Sequence, residues 1–332
     1  MTDHPPLTPL LPGRQELTIC FAHAAYDFKP SFDAAPHGII NTMQVGTHAD
    51  LEAALPEADV LVISGLWKND LLNHAPRLKY LQSISAGINQ YDLDAFRARG
   101  IRLASGQGVN KNAVSEHAIG LMLSLTRQLA LARDNQNARI WRREQSNPMQ
   151  REDELPGKTM VIVGTGGIGD RIARLAKAFD MKVIGLRRDP AKGSGAADEI
   201  HSFKALKTLL PQADVLVLSC PLTEETRHII DAEALGRLKP SAFLINVARG
   251  ACVDEAALIA ALQQNRLAGA GIDVCATEPL PADSPLWAMR NVVLTPHSAG
   301  ETRRYELNVL NLLTQNLDRL WAGRGDLVNQ IV

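Results

Sequence analysis

The chain has 332 residues, 45% of them apolar, which is material for large cores and, by length, about two domains. Its formal charge of -1, its few aromatic residues and the lack of a clustered basic stripe leave nucleic acid or an anionic membrane little to hold. The pairs Arg142-Arg143, Arg187-Arg188 and Arg303-Arg304 are isolated and read as solvated faces unless a site claims them. Cys20, Cys220, Cys252 and Cys275 are far apart with no Cys-x-x-Cys spacing, so neither a zinc site nor a disulfide framework follows. The N-terminus lacks the basic start and apolar core of a signal peptide, and no apolar run is long enough to span a bilayer; a cytoplasmic location is the expectation.

The first dozen residues are rich in proline and are expected to form an irregular lead-in. From Leu17, short apolar runs (Leu17 to Ala22, Val60 to Ser64, Tyr80 to Ile84) alternate with helix-compatible segments such as Leu51 to Pro56 and Lys68 to Asn73, the pattern of a small parallel α/β domain. Ser64-Gly65-Leu66-Trp67 and Ser83 to Asn89 follow two of these runs. Ligands bind beyond the carboxyl ends of parallel strands, so both loops are candidates for a substrate floor, against the competing reading of ordinary turns. Asn112 is placed to cap one long helix from Ala113 to about Asp134, with Val114, Ala118, Leu121, Leu125 and Leu129 on one face. Glu116 and His117 near its start read as a helix-terminal carboxylate and a packed histidine.

Met160 to Gly169 joins an apolar run to a Gly-x-Gly-x-x-Gly turn and a helical pattern. Gly164 makes the tight turn, Gly166 lets the backbone approach a pyrophosphate, and Gly169 lets the helix pack close to its strand. The helix N-terminus offers free N–H groups to the phosphates. Strand-like runs follow at Lys182 to Leu186, Val215 to Ser219, Ala242 to Asn246, Gly271 to Val274 and Val292 to Thr295, so a doubly wound sheet is expected, followed by a C-terminal helix from Glu301 to Trp321. Where an acidic residue normally meets the adenosine ribose of NAD, this chain reads Arg187-Arg188-Asp189. A guanidinium there suits a 2′-phosphate, which favours NADP; the alternative is Asp189 reaching the ribose of NAD.

Three strand ends carry polar residues that an ordinary core has no need for: Asn246-Val247-Ala248-Arg249-Gly250, Asp273 with Glu278-Pro279, and Pro296-His297-Ser298-Ala299-Gly300. An α-keto acid that accepts hydride needs a cation for its carboxylate, a proton donor for its ketone oxygen, and a group that keeps the donor protonated. Arg249, His297 and Glu278 meet these needs in that order, and Asp273 falls on the nicotinamide side.

In these motifs, with Glu154-Leu155-x-Gly157-Lys158 and Thr295-Pro296-His297, the chain from about Tyr80 onward resembles the D-isomer-specific 2-hydroxyacid dehydrogenases, in particular their glyoxylate and hydroxypyruvate reductase branch. The resemblance implies Arg249, Glu278 and His297 as the catalytic trio. It implies cofactor contacts from Cys220, Pro221, Val247, Ala248, Asp273, Ser298 and Ala299, which join Thr165, Gly166, Gly167 and Ile168 of the glycine turn, Arg187, Arg188, Thr226, Arg249 and His297 as the expected cofactor-binding residues. Substrate contacts would come from Ser85, Ala86 and Gly87, whose backbone offers donors to the substrate carboxylate, with Arg249 and His297. It implies two doubly wound domains, a Rossmann cofactor domain (109–300) inserted into a flavodoxin-like substrate domain (1–108 with 301–332), a cleft between them, and a homodimer across the long helix. No metal is implied.

The first eighty residues match no family pattern, which leaves the substrate side chain open; Trp67 reads equally as pocket wall or packing. The leading expectation is reduction of a 2-keto acid to the D-2-hydroxy acid with NADPH, His297 acting as general acid and base. The alternative is a dinucleotide-sensing regulatory protein of the same fold.

Overall fold

The computed structural model describes residues 11–36, 38 and 40–332, the side chain of residue 149 excepted. Most of the proline-rich lead-in lies outside the described residues. The chain divides into two compact units, one formed by the residues up to Asn110 with Thr302–Val332, the other by Lys111–Glu301.

In the first unit the strands are β1 (Thr18–Ala22), β2 (Asn41–Val45), β3 (Val60–Ile63), β4 (Tyr80–Ser83) and β5 (Arg102–Ala104). They pair in the order β2-β1-β3-β4-β5, all parallel, which is the flavodoxin-like order. Successive residues of a strand point to opposite faces. Ile19, Phe21, Val60, Val62 and Tyr80 therefore pack on one side with Val309, Leu313, Leu317 and Leu320 of the C-terminal helix Tyr305–Trp321. Cys20, Ala22, Leu61, Ile63 and Leu81 pack on the other with Leu51 and Phe96.

The second unit holds β6 (Thr159–Val163), β7 (Lys182–Leu186), β8 (Glu199–His201), β9 (Val215–Leu218), β10 (Phe243–Asn246), β11 (Gly269–Ile272) and β12 (Val292–Leu294). Their order is β12-β11-β10-β9-β6-β7-β8, again all parallel. Met160, Ile162, Val183, Val215 and Val217 face the helices Lys111–Thr126 and Gly167–Lys177. Val161, Val163, Ile184, Leu216 and Leu218 face the opposite layer with Leu235, Leu258 and Leu262. Burying one such side chain stabilises by about 1.5–3 kcal/mol, and a one-residue slip would exchange the two sets, so both faces hold the register.

The long helix expected from Ala113 to about Asp134 is two helices, Lys111–Thr126 and Leu129–Asn137, and Asn112 lies inside the first rather than capping it. The break has a local cause. The Thr126 carbonyl accepts the N–H of Asp153 at 2.8 Å in place of a helical partner, the Thr126 hydroxyl turns back to the Met122 carbonyl at 3.0 Å, and Gln128 takes φ 51°. Leu129 is 54% exposed and leaves the buried face. Lys68 to Asn73 is a 3-10 turn at Asn69–His74. Among the described residues, no helix is long and apolar enough to cross a membrane.

Candidate active site

In the second sheet the strand order reverses between β6 and β9, where open parallel sheets bind ligands. Gly164, at the end of β6, has φ +100°, and a Cβ there would lie 2.6 Å from the Cys220 backbone beyond β9. Gly169 packs its helix onto the turn: a Cβ would stand 2.1 Å from the Gly164 carbonyl, which also accepts the Ser219 hydroxyl at 2.8 Å. Gly166 differs from both. Its backbone is an ordinary extended cap, and nothing among the described residues lies within 4 Å of the place a Cβ would occupy, so the glycine leaves open space at a helix N-terminus. The Thr165 hydroxyl beside it is buried and has no hydrogen-bond partner among the described residues. Open room, free helical N–H groups and an unsatisfied hydroxyl fit a dinucleotide pyrophosphate.

At the end of β7, Arg188 is exposed and its Nε lies 3.6 Å from Glu225. Arg187 is half-buried, with its guanidinium donating to the Gly193 carbonyl at 2.9 Å. Asp189 is occupied as a cap, accepting the Ala191 N–H at 3.1 Å. Beyond β9, Cys220 is buried; its hydrogen bond to Cys252, with burial, pushes its thiol well above the ordinary range. Thr226 is buried and braces its own loop, donating to the Pro221 carbonyl at 2.6 Å and accepting the Thr223 N–H at 2.8 Å.

The buried Asn246 ends β10 and shapes the turn after it. Its amide donates to the Arg249 carbonyl at 3.1 Å and its oxygen accepts the Ala248 N–H at 3.1 Å. Val247 and Ala248 are buried, whereas Arg249 is exposed, one guanidinium nitrogen donating to the Ala248 carbonyl at 2.6 Å. Gly250 then meets the loop after β11 so closely that a Cβ would lie 1.9 Å from the Cys275 carbonyl. This contact joins the Arg249 turn to the loop carrying Glu278, whose peptide with Pro279 is cis.

His297 and Glu278 pair directly, with Nδ1 to Oε2 at 2.7 Å, while Glu278 Oε1 accepts the Cys275 N–H at 3.0 Å. His297 has φ +54°, a left-handed conformation that non-glycine residues hold only where the surroundings enforce it. Asp273 does so. Its carbonyl accepts the His297 N–H at 2.8 Å, and its carboxylate accepts the N–H of Ser298 at 2.9 Å and of Ala299 at 3.1 Å. Asp273, Glu278 and His297 share a cavity of about 650 Å³ with the apolar Leu280, Trp287 and Leu294. Cys275 also lines it; burial, then the charges of Glu255, Glu278 and Asp273, push its thiol up to about 11.

The remaining sequence candidates lie in the first unit, at the end of β4. The Ser85 hydroxyl donates to the Gly87 carbonyl at 3.2 Å and shares a bond with Ser64 at 2.9 Å, so the two expected floor loops touch. Ala86 is exposed and Gly87 half-buried. Trp67, left open by the sequence, is buried packing: its ring lies tilted against those of Tyr91 and Phe96, with centroids 5.7 and 5.5 Å away, and it donates to Asn69 at 3.0 Å.

Two residues carry more than the sequence suggested. Asn246 stood only as part of a motif, though a polar residue closing a buried strand was the available signal. His117, read as packing, reaches Thr295 Oγ1 at 2.9 Å and stands 3.6 Å from Asp273. Helical periodicity could not show that, because the partner is 178 residues away.

Residues 119–299 match the family model "D-isomer specific 2-hydroxyacid dehydrogenase, NAD binding domain". The chain is 38% identical over 256 residues to D-3-phosphoglycerate dehydrogenase of Mycobacterium leprae, covering 76% of this chain but only 47% of that protein's length. It is 38% identical over 278 residues to glyoxylate/hydroxypyruvate reductase B of Yersinia pestis, covering 82% and 84% of the two chains. Among solved structures, a D-isomer specific 2-hydroxyacid dehydrogenase family protein from Aeromonas salmonicida aligns with a TM-score of 0.83 at 34% identity, over 96% of this chain and 99% of that one. The enzyme of the same family from Xanthobacter autotrophicus, in complex with NADPH and MES, aligns with a TM-score of 0.77 at 27% identity, over 96% and 98%. This chain belongs to the D-isomer specific 2-hydroxyacid dehydrogenase family and is an oxidoreductase acting on CH–OH groups with a nicotinamide cofactor.

Proposed function

We propose that this chain reduces a 2-keto acid of the glyoxylate or hydroxypyruvate kind, or a bulkier one, to the D-2-hydroxy acid, with NADPH as the preferred cofactor. The observation that carries the reading is the 2.7 Å contact between Glu278 Oε2 and His297 Nδ1. A carboxylate accepting from Nδ1–H orients the ring and fixes which nitrogen faces it, which leaves Nε2 as the atom that exchanges a proton with the substrate. Arg249 grips the substrate carboxylate and polarises the neighbouring ketone. The nicotinamide, when bound, supplies the hydride that reaches the ketone carbon. His297 gives its proton to the ketone oxygen as negative charge develops there, and the product is the hydroxy acid.

Thr165 to Ile168 are assigned to the pyrophosphate, and Cys220, Pro221, Val247, Ala248, Asp273, Ser298 and Ala299 to the remainder of the cofactor. Thr226 contributes by holding the loop that begins at Pro221. Ser85, Ala86 and Gly87 are assigned to the substrate carboxylate through backbone N–H groups. The preference for NADPH rests on the exposed Arg188 and on Asp189 being engaged as a cap. A homodimer is supported by the exposure of Leu129, Ile140 and Trp141, at 54%, 58% and 95%; light scattering reads it directly.

The test is a panel of glyoxylate, hydroxypyruvate, pyruvate and phenylpyruvate, each with NADPH and NADH, with the chirality of the product determined. His297→Ala should remove most of kcat. Near-normal turnover in that variant overturns the mechanism, and a clear NADH preference overturns the cofactor assignment. Tight NADPH binding with no turnover of any keto acid would favour a dinucleotide-sensing role instead.

A further inference from the structure

His117 Nε2 lies 2.9 Å from the Thr295 hydroxyl oxygen, which lies 2.6 Å from Asp273 Oδ1. The Asp273 side chain is 2% exposed, and His117, at 3.6 Å, is its one ion-pairing neighbour among the described residues. The directions along this chain follow from donor arithmetic. An ionised carboxylate only accepts, so the single Thr295 proton points at Asp273; the Thr295 oxygen then accepts from His117, whose Nε2 must carry a proton. The same carboxylate receives the N–H groups of Ser298 and Ala299, and the Asp273 carbonyl receives that of His297.

Resting on the reading of His297 as the proton donor, we propose that His117 and Thr295 are positioning residues of the reaction. The relay from His117 Nε2–H through the Thr295 hydroxyl to Asp273 fixes the carboxylate that holds the 297–299 turn. The turn needs such a tether because His297 sits at φ +54°, and its relaxation to negative φ would carry the ring away from Glu278. Helix Lys111–Thr126 thus delivers a hydrogen-bond donor to the catalytic loop as well as an apolar face to the sheet.

The first readout needs no substrate. Nitrogen-15 correlation spectra of the imidazoles in the cofactor-free protein should show His117 as the Nε2–H tautomer, and Thr295→Val should collapse it into a mixture of tautomers. A Nδ1–H tautomer in the unaltered protein overturns the proposal even if keto-acid reduction is established, whereas absence of any turnover would overturn the proposed function and leave this readout intact. The second readout is kinetic. His117→Phe and Thr295→Val should each lower kcat roughly ten- to a hundredfold with the keto-acid KM changed by less than about threefold, the scale of one hydrogen bond to a charged group. Thr295→Ser should restore most of the rate, as it keeps the hydroxyl, and the double variant should be little worse than either single one. A folded His117→Phe with kcat within about twofold of the parent, or a Thr295→Ser as slow as Thr295→Val, reduces the relay to packing and overturns the proposal.

Discussion

Glu278 divides its carboxylate between two partners: Oε2 lies 2.7 Å from His297 Nδ1, and Oε1 accepts the Cys275 N–H at 3.0 Å. The second bond ties the acid to its own loop, so the first fixes the imidazole as well as polarising it. Glu278→Gln keeps the shape and removes the charge. Keto-acid reduction at neutral pH should lose roughly ten- to a hundredfold in kcat, less than in His297→Ala. Steady-state kinetics of the two variants side by side check the ranking; equal losses would mean that the carboxylate does more than support the ring.

The glycines of the turn should separate by experiment. At Gly164 the φ of +100° and the 2.6 Å approach to Cys220 make Gly164→Ala destabilising by about 2–5 kcal/mol. At Gly166 nothing among the described residues opposes a Cβ, so Gly166→Val should melt within a few degrees of the parent while losing most of its affinity for NADPH. Thermal unfolding and titration of the cofactor by fluorescence distinguish a residue the fold needs from one the ligand needs.

Arg188 and Arg187 should not contribute equally. Arg188 is exposed and, among the described residues, its ion-pairing neighbour is Glu225, at 3.6 Å, whereas Arg187 is spent on the Gly193 carbonyl. Arg188→Ala should raise the KM for NADPH roughly tenfold and leave that for NADH nearly unchanged. Parallel KM measurements with the two cofactors read the difference.

Cys275 is the one half-buried cysteine, the other three being buried, yet it should react slowly. Its thiol is pushed up to about 11, so at pH 8 the thiolate is scarce. Carbamidomethylation by iodoacetamide should run roughly a hundredfold slower than in a free cysteine of ordinary pKa and should accelerate about tenfold per pH unit toward 11. Mass spectrometry of the labelled peptide against pH gives the curve.

Strands buried on both faces were legible because they read as continuous apolar runs: Thr159–Val163, Val215–Leu218 and Val60–Ile63. Strands β2, β5 and β8 were not legible. Each lies at a sheet edge with one strand neighbour, β5 being bridged on its other side by the C-terminal Gln330, and the segments Asn41–Val45 and Glu199–His201 are exposed enough to be polar. The helix break after Thr126 was hidden as well, since it depends on an N–H from Asp153 that no local pattern announces.

Of the site, the residue types and their order belong to the sequence alone: three glycines at fixed spacing, a buried strand ending in Asn246 with Arg249 after it, an Asp and a Glu five residues apart, and a histidine after Thr295-Pro296. Those choices answer local demands of backbone conformation and chemistry. The tertiary structure decided which of them touch. Glu278 meets His297 nineteen residues on, Gly250 lets the Arg249 turn close on Cys275, Trp67 goes to the core, and His117 reaches Thr295 from a helix 178 residues earlier. Contacts of that kind are set by how helices settle on a sheet, and packing is a property of the whole chain.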